Sequence, residues 1–200
     1  MKVIFLDFDG VITIPETKWN ISLEHVKRVK KICDETGAKL VISSSWQRYG
    51  RAGESREDRV KNWLDGILMK GYKGAIKKFF TDYTYDMSGR FYNEFGNVRG
   101  SDIKSWLTRN PDVDNYVIID DEGDMLDEQL YHFVQTDWVF GIQDREVKLA
   151  IDVLNNVPPR NAHCLNSELK FKFWVSLGHG KIDNYKEIVE KYNPWKNEDK

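Results

Sequence analysis

The sequence predicts an α/β fold with a doubly wound parallel sheet. Two short apolar runs, at residues 3–6 and 116–119, each end in aspartates, and a third, at residues 39–42, ends in three serines. Runs of this length are typical of strands that are buried on both faces. An amphipathic helix pattern separates the first run from the next, and this strand–helix–strand order implies a crossover between parallel strands.

The first helix has clear boundaries in the sequence. Ser22 is a residue type that caps helix N-termini, and Gly37 is the type that ends helices at their C-termini. The spacing of the apolar side chains between them fits one face of a helix. These side chains are Leu23, Val26, Val29, Ile32 and Cys33.

The later elements follow the same alternation. Ser101 is expected to cap a helix whose apolar face contains Ile103, Trp106 and Leu107. A further strand is predicted at residues 130–134, and a final helix of the domain at residues 144–154.

The chain divides at a pair of prolines, Pro158 and Pro159. We therefore predict a domain at residues 1–157 and a C-terminal extension, packed on it, at residues 158–200. Residues 47–98 read as a small insertion rich in arginines and aromatic side chains. Two interpretations stay open: the insertion packs its aromatics on the sheet, or it forms a lid whose arginines, Arg48 among them, attract an anionic substrate.

Composition narrows the class of protein. The chain has 200 residues with 40% hydrophobic side chains, which suits one domain with a modest insertion. Its net charge of −2 gives no bulk attraction for nucleic acid, so a basic patch has to be local. The two cysteines lack metal-ligand spacing, which favours a reduced, cytoplasmic setting. With no signal peptide and no long apolar run, we expect no membrane partner.

Acidic side chains mark two predicted strand ends. Asp7 and Asp9 follow the first apolar run and precede Gly10, while Asp120 and Asp121 follow the run at residues 116–119. Carboxylates at the end of a buried strand repel one another unless a cation compensates them. Oxygen ligands of this kind suit a divalent cation such as Mg²⁺. The carboxyl ends of parallel strands are also where α/β sheets bind ligands.

Hydroxyl groups and basic side chains are available beside these acids. Ser43 and Ser44 follow the strand at residues 39–42 and could bond phosphate oxygens. Arg99 and Lys104 flank the start of the predicted helix near residue 101, and either could hold a phosphoryl group. Arg99, which precedes a glycine, is preferred.

The run D-F-D-G-V-I-T at residues 7–13 resembles the first motif of the haloacid-dehalogenase (HAD) superfamily. The apolar strand ending in S-S-S, the basic residue Arg99 and the V-I-I-D-D run ending at Asp121 resemble its second, third and fourth motifs. A finer likeness extends to about residue 155 and is similar to a HAD branch associated with RNA-repair proteins. The resemblance implies a Rossmann-like HAD fold.

The resemblance also implies roles for individual residues. Asp7 would attack the phosphoryl group, and Asp9 would act as general acid and base. Ser44 and Arg99 would hold the phosphoryl oxygens, with Ser43, Lys104 and Arg48 as further substrate contacts. Mg²⁺ would be held by Asp7, by Asp9 through its backbone carbonyl, and by Asp121, with Asp120 in support.

The expected function is a Mg²⁺-dependent phosphohydrolase that works through an aspartyl-phosphate. The resemblance further implies an open site, because the insertion and the loop after the first motif are both too short to form a large cap, and open sites in this superfamily tend to admit large substrates. With the arginines and aromatics of the insertion, this favours a nucleotide or the 3′-phosphate of an RNA or DNA end as substrate. Two alternatives remain: a phosphomonoesterase for small metabolites, and a non-catalytic nucleic-acid-binding module with the same fold. The sequence leaves the oligomeric state open.

Overall fold

The computed structural model describes residues 1–45, 77–84 and 99–157. Within these residues, five parallel strands form one sheet in the order β3-β2-β1-β4-β5. The sheet, with helices on both faces, confirms the predicted α/β fold. Its strands are β1 (Lys2–Leu6), β2 (Lys39–Ile42), β3 (Phe80–Tyr83), β4 (Asn115–Asp120) and β5 (Phe133–Gln135).

Three α-helices and three short 3₁₀ helices accompany the sheet in the described residues. The α-helices are α1 (Leu23–Thr36), α2 (Arg99–Arg109) and α3 (Asp144–Leu154). The 3₁₀ helices span Pro15–Thr17, Lys77–Phe79 and Asp127–His132. None of the helices in this part of the chain is both long enough and apolar enough to cross a membrane.

Alternating side chains of β1 build a core on each face of the sheet. Ile4 and Leu6 belong to the cluster that contains the apolar faces of α1 and α3. Val3 and Phe5 belong to the opposite cluster, where Trp106 of α2 meets the Phe5 ring edge-on at 5.3 Å between centroids. This arrangement requires a strand that is apolar on both faces, as the run from Val3 to Leu6 predicts.

The predicted boundaries of α1 and α3 are confirmed. The Ser22 side chain accepts a hydrogen bond from the His25 amide, and Gly37 ends α1 in the left-handed conformation. Helix α3 covers residues 144–154 as predicted.

The start of α2 was predicted wrongly. The helix begins at Arg99, so Ser101 lies buried inside its first turn and does not cap it. The capping acceptor comes from a distant part of the chain, because Asp124 Oδ2 accepts the Arg99 amide at 2.9 Å. A cap supplied across tertiary structure has no local sequence signature.

The strand predicted at residues 130–134 is shorter than expected. Residues 127–132 form a 3₁₀ helix, and only Phe133–Gln135 pair with β4. A short apolar run does not by itself distinguish a buried strand from a buried helical turn, which explains the difference.

The span predicted as an insertion contributes one strand to the sheet. Residues 80–83 form β3, the edge strand that pairs with β2. Residues 47–76 and 85–98, including Arg48, lie outside the described residues, as does the predicted extension at 158–200.

Candidate active site

The acidic side chains gather where β1 and β4 end. Leu6 pairs with Ile119 in the parallel ladder, and the Asp7 amide continues it by donating to the Ile119 carbonyl at 3.0 Å. Asp7, Asp120 and Asp121 thereby offer carboxylate oxygens that all lie within 4.8 Å of one another. Asp7 and Asp120 are buried. The two strand ends therefore meet in one acidic cluster.

Arg99 projects into this cluster from the first residue of α2. Its Nη1 lies 3.1 Å from Asp7 Oδ1, and its Nε lies 3.1 Å from Asp120 Oδ2. The same Nη1 also donates to the carbonyl of Ser43, which follows β2. One guanidinium thus connects the ends of three neighbouring strands, as its fixed fork of donors allows.

Burial raises the pKa of all three acids. Desolvation raises the pKa of Asp7 to about 6, although Arg99 and a hydrogen bond from Ser44 oppose the shift. Desolvation and the neighbouring Asp7 raise the pKa of Asp121 to about 7. For Asp120, burial raises the pKa well above its usual range. One arginine is therefore too little positive charge for two buried carboxyl groups and the half-buried Asp121.

Two buried carboxylate oxygens have no hydrogen-bond partner among the described residues. These atoms are Asp120 Oδ2 and Asp124 Oδ1. Within the described part of the chain, Asp120 Oδ2 has only the charge contact with Arg99 Nε, whose alignment is not that of a hydrogen bond. An unsatisfied buried oxygen beside two further carboxylates is a fitting environment for a divalent cation. The residues present therefore fit a metal ion.

A tight turn carries the chain away from Asp7. Gly10 adopts φ +67°, and a Cβ at this position would lie 2.3 Å from the carboxyl carbon of Asp121. The turn is closed by the Gly10 amide, which donates to the Thr13 carbonyl at 2.9 Å. The Asp9 carboxylate lies outside the acidic cluster and accepts a hydrogen bond from Thr13 Oγ1 at 2.7 Å. Glycine at position 10 is thus required for both backbone conformation and space.

Gly10→Ala is expected to destabilise the protein more than Gly37→Ala does. Both glycines have φ near +70°, but no atom of the described residues lies within 4 Å of a Cβ at Gly37. Gly37→Ala should therefore show only the backbone strain of about 1–2 kcal/mol. Gly10→Ala adds an overlap with Asp121, so its free energy of unfolding should fall by at least about 1 kcal/mol more than that of Gly37→Ala. Urea unfolding of both variants measures the difference, and equal losses would mean that Asp121 moves aside freely.

The two serines after β2 occupy different positions. Ser44 is buried and its side chain hydrogen-bonds the Asp7 carboxyl group. The Ser43 hydroxyl lies 3.5 Å from Thr84 Oγ1, and it is the Ser43 carbonyl that contacts Arg99. Of the two, Ser44 has the side chain that reaches the acidic cluster.

The two candidate cations of α2 also differ. Arg99 contacts the cluster, whereas Lys104 pairs with Glu128 at 2.7 Å. The sequence did not indicate how Arg99 is oriented. Asp124 accepts the Arg99 amide through Oδ2, and its backbone carbonyl accepts the Gly100 amide at 3.1 Å. Its position three residues after the D-D pair already marks Asp124 in the sequence as a candidate supporting acid of the cluster.

Without a divalent cation, the stability of the protein is expected to fall as the pH rises from about 4 to about 7. The folded chain raises the pKa of Asp7 from 3.8 to about 6 and that of Asp121 to about 7. A carboxyl group with a raised folded-state pKa keeps its proton longer in the folded chain, so stability is lost as the pH crosses this window. The shift of Asp7 alone corresponds to about 3 kcal/mol.

Urea unfolding in EDTA between these pH values measures this dependence. The amide in Asp121→Asn cannot ionise, so this variant should show a flatter dependence of stability on pH. In the unaltered protein, Mg²⁺ should restore stability at the upper end of the pH window. A metal-free protein whose stability rises from pH 4 to pH 7 would show that the buried acids are already compensated.

Comparison with known proteins identifies the family. No curated protein and no solved structure matches the chain. The profile of one family, described as the HAD domain in Swiss Army Knife RNA repair proteins, matches residues 3–147. The match covers β1 from Val3 onward, the other four strands of the described sheet, and the acidic cluster with Arg99. The chain therefore belongs to the HAD domains of the Swiss Army Knife RNA repair proteins.

Proposed function

We propose that the protein is a Mg²⁺-dependent phosphohydrolase that acts through an aspartyl-phosphate on a nucleotide or on the 3′-phosphate of a polynucleotide end. The observation that carries this proposal is the convergence of Asp7, Asp120 and Asp121 around Arg99 at the carboxyl edge of the sheet. Family membership supports it, because the family takes its name from RNA repair proteins.

Asp7 is the proposed nucleophile. Its carboxylate forms a bond to phosphorus while the ester P–O bond breaks, and the leaving oxygen takes a proton from Asp9. Water then attacks the phosphoryl group on Asp7, and Asp9 accepts a proton from that water. The second step releases inorganic phosphate and returns Asp7 to its carboxylate form. The hydrogen bond from Thr13 to Asp9 supports this role because it holds the Asp9 side chain apart from the acidic cluster.

Arg99 and Ser44 are proposed to hold the transferring phosphoryl group. Both already contact the Asp7 carboxyl group, so a phosphoryl group bonded to Asp7 would be within their reach. Mg²⁺ would be held by Asp7, Asp121 and the Asp9 backbone carbonyl, with Asp120 in support, and would neutralise charge on the phosphate. Ser43, Lys104 and Arg48 remain proposed as further contacts to a larger substrate.

A substrate panel tests the proposal. Release of inorganic phosphate is measured for 3′-phosphorylated oligonucleotides, mononucleotides and sugar phosphates, each with Mg²⁺ and with EDTA. The proposal expects Mg²⁺-dependent release that is fastest from the oligonucleotide. Preference for sugar phosphates would instead identify a small-metabolite phosphatase. Tight oligonucleotide binding without release under any condition would identify a non-catalytic binding module.

A further inference from the structure

Three aromatic side chains are exposed on two neighbouring loops. Trp19 lies between β1 and α1, and Trp138 and Phe140 lie between β5 and α3. Their exposed fractions are 45%, 54% and 61%, respectively. We call these three side chains the aromatic lip. The acidic cluster does not use them, and large exposed apolar groups that lie together indicate a binding surface.

The loop that carries Trp138 and Phe140 is attached to the turn that follows Asp9. Thr136 Oγ1 donates to the Gly10 carbonyl at 2.7 Å, and the Ile142 amide donates to the Val11 carbonyl at 3.0 Å. Trp138 follows Thr136 by two residues, so their Cα atoms are at most about 7 Å apart. The loop that carries Trp138 and Phe140 is therefore anchored to the turn that follows Asp7 and Asp9, next to the candidate active site.

The two indoles of the lip present flat surfaces. Their rings are nearly parallel, with an interplanar angle of 9° and centroids 6.4 Å apart. Trp19 has φ +60° and follows Lys18 at φ +53°, so two consecutive residues adopt a conformation that side chains disfavour. Backbone strain of this kind is typical of functional sites. Here it holds a large aromatic ring out in solvent.

We propose that the aromatic lip stacks the bases of a single-stranded polynucleotide whose terminal phosphate lies at the acidic cluster. This inference rests on the proposed function and specifies its substrate class. A polynucleotide end combines a phosphate with flat aromatic groups a short distance along its strand, which matches the proposed phosphoryl site and the exposed, nearly parallel indoles of the lip. Lys18 is exposed next to Trp19 and adds a positive charge near the phosphates of the bound polynucleotide.

The size of the lip argues against a second copy of the chain as its occupant. Trp and Phe side chains bury roughly 150–250 Å² each, so three that are about half exposed offer roughly 350 Å². A stable protein interface needs about 800 Å² per partner. A few stacked bases, in contrast, require only this much aromatic surface.

The test measures binding of a 3′-phosphorylated oligonucleotide by fluorescence anisotropy, with Asp7→Asn as parent protein to prevent turnover. Trp138→Leu and Trp19→Leu should each raise Kd about tenfold because leucine offers no ring for stacking. Trp138→Phe keeps a ring and should stay much closer to the parent. Val157→Ala, which alters an exposed apolar residue just beyond α3, should leave Kd unchanged.

An oligonucleotide that lacks the bases nearest its 3′-phosphate provides the matched ligand control. It should bind the parent about tenfold more weakly, and Trp138→Leu should cause little further loss, since both changes remove the same contact. Equal binding of the intact ligand by parent and leucine variants would overturn the proposal, as would a parent that binds no oligonucleotide. So would a lip variant that only converts a dimer to a monomer in sedimentation.

Failure of this inference is distinguishable from failure of the proposed function. With Asp7 intact, Trp138→Leu should hydrolyse a small aryl phosphate within twofold of the unaltered chain, while its KM for the oligonucleotide rises. If no phosphate ester is hydrolysed at all, the proposed function falls, and base-dependent binding still supports the lip. If the oligonucleotide is hydrolysed equally well by both proteins, only the lip proposal falls.

Discussion

Asp7→Asn is expected to lower the hydrolysis of an aryl phosphate by about four orders of magnitude or more. The amide has nearly the shape of the carboxylate, but it cannot serve as the anionic nucleophile. Asp7 is buried beside Arg99 and Ser44 at the end of β1. Phosphate release at saturating Mg²⁺ measures the effect.

A control separates the chemistry from a general loss of charge. Asp112→Asn alters an exposed acid at the opposite end of β4 and should keep full activity. Asp7 is also a proposed metal ligand, so a second readout is needed. Acid quenching of the unaltered enzyme during turnover should yield a phosphoryl adduct on the peptide that contains Asp7. Retention of more than a tenth of the activity by Asp7→Asn would exclude Asp7 as nucleophile.

Arg99→Met is expected to lower the free energy of unfolding by about 3–5 kcal/mol in EDTA at neutral pH. Methionine fills much of the same space but leaves Asp7 and Asp120 without their shared positive charge. The two carboxyl groups are buried, so water cannot replace the lost contact. Burial lowers the pKa of Arg99, but the negative charges of Asp120 and Asp7 outweigh burial and raise this pKa above its usual value. The arginine and the two acids therefore stabilise each other's charged forms.

The opposite end of the same helix supplies the matched variant. Arg109 is the exposed last residue of α2, and Arg109→Met should change stability by no more than about 0.5 kcal/mol. Below pH 4 the penalty of Arg99→Met should shrink, since the acids are then protonated. Mg²⁺ should also recover part of the loss at neutral pH. Equal unfolding of the Arg99 and Arg109 variants would mean that the arginine does not compensate the acids.

Much of the fold could be predicted because its signals are local. Helix α1 has its cap and its terminating glycine in the sequence, and β1 is apolar at every position from Val3 to Leu6. The start of α2 could not be predicted, because its cap is Asp124, which is 25 residues away. A short run such as that around Leu130 is ambiguous for a related reason, since burial alone does not set the backbone conformation.

Some residues of the candidate site could likewise be predicted from the sequence, and others could not. The acids are visible in the sequence as clusters at the ends of predicted strands. Their convergence could be predicted because parallel strands end at the same edge of a sheet. The choice between Arg99 and Lys104 depended on the direction in which each side chain leaves α2, and no sequence pattern encodes that direction. The pairing of Trp19 with Trp138 had no signal either, because two irregular loops that are far apart in the chain form it.

The central position of β1 has a consequence for synthesis. β1 pairs with β2 on one side and with β4 on the other, yet about 70 residues separate the end of β2 from the start of β4. At the usual pace of translation this interval lasts roughly 4–15 s. During that time the edge of β1 that will pair with β4 has no partner in the nascent chain. An unpaired strand edge can pair with another chain, so the nascent chain is exposed to aggregation until β4 emerges.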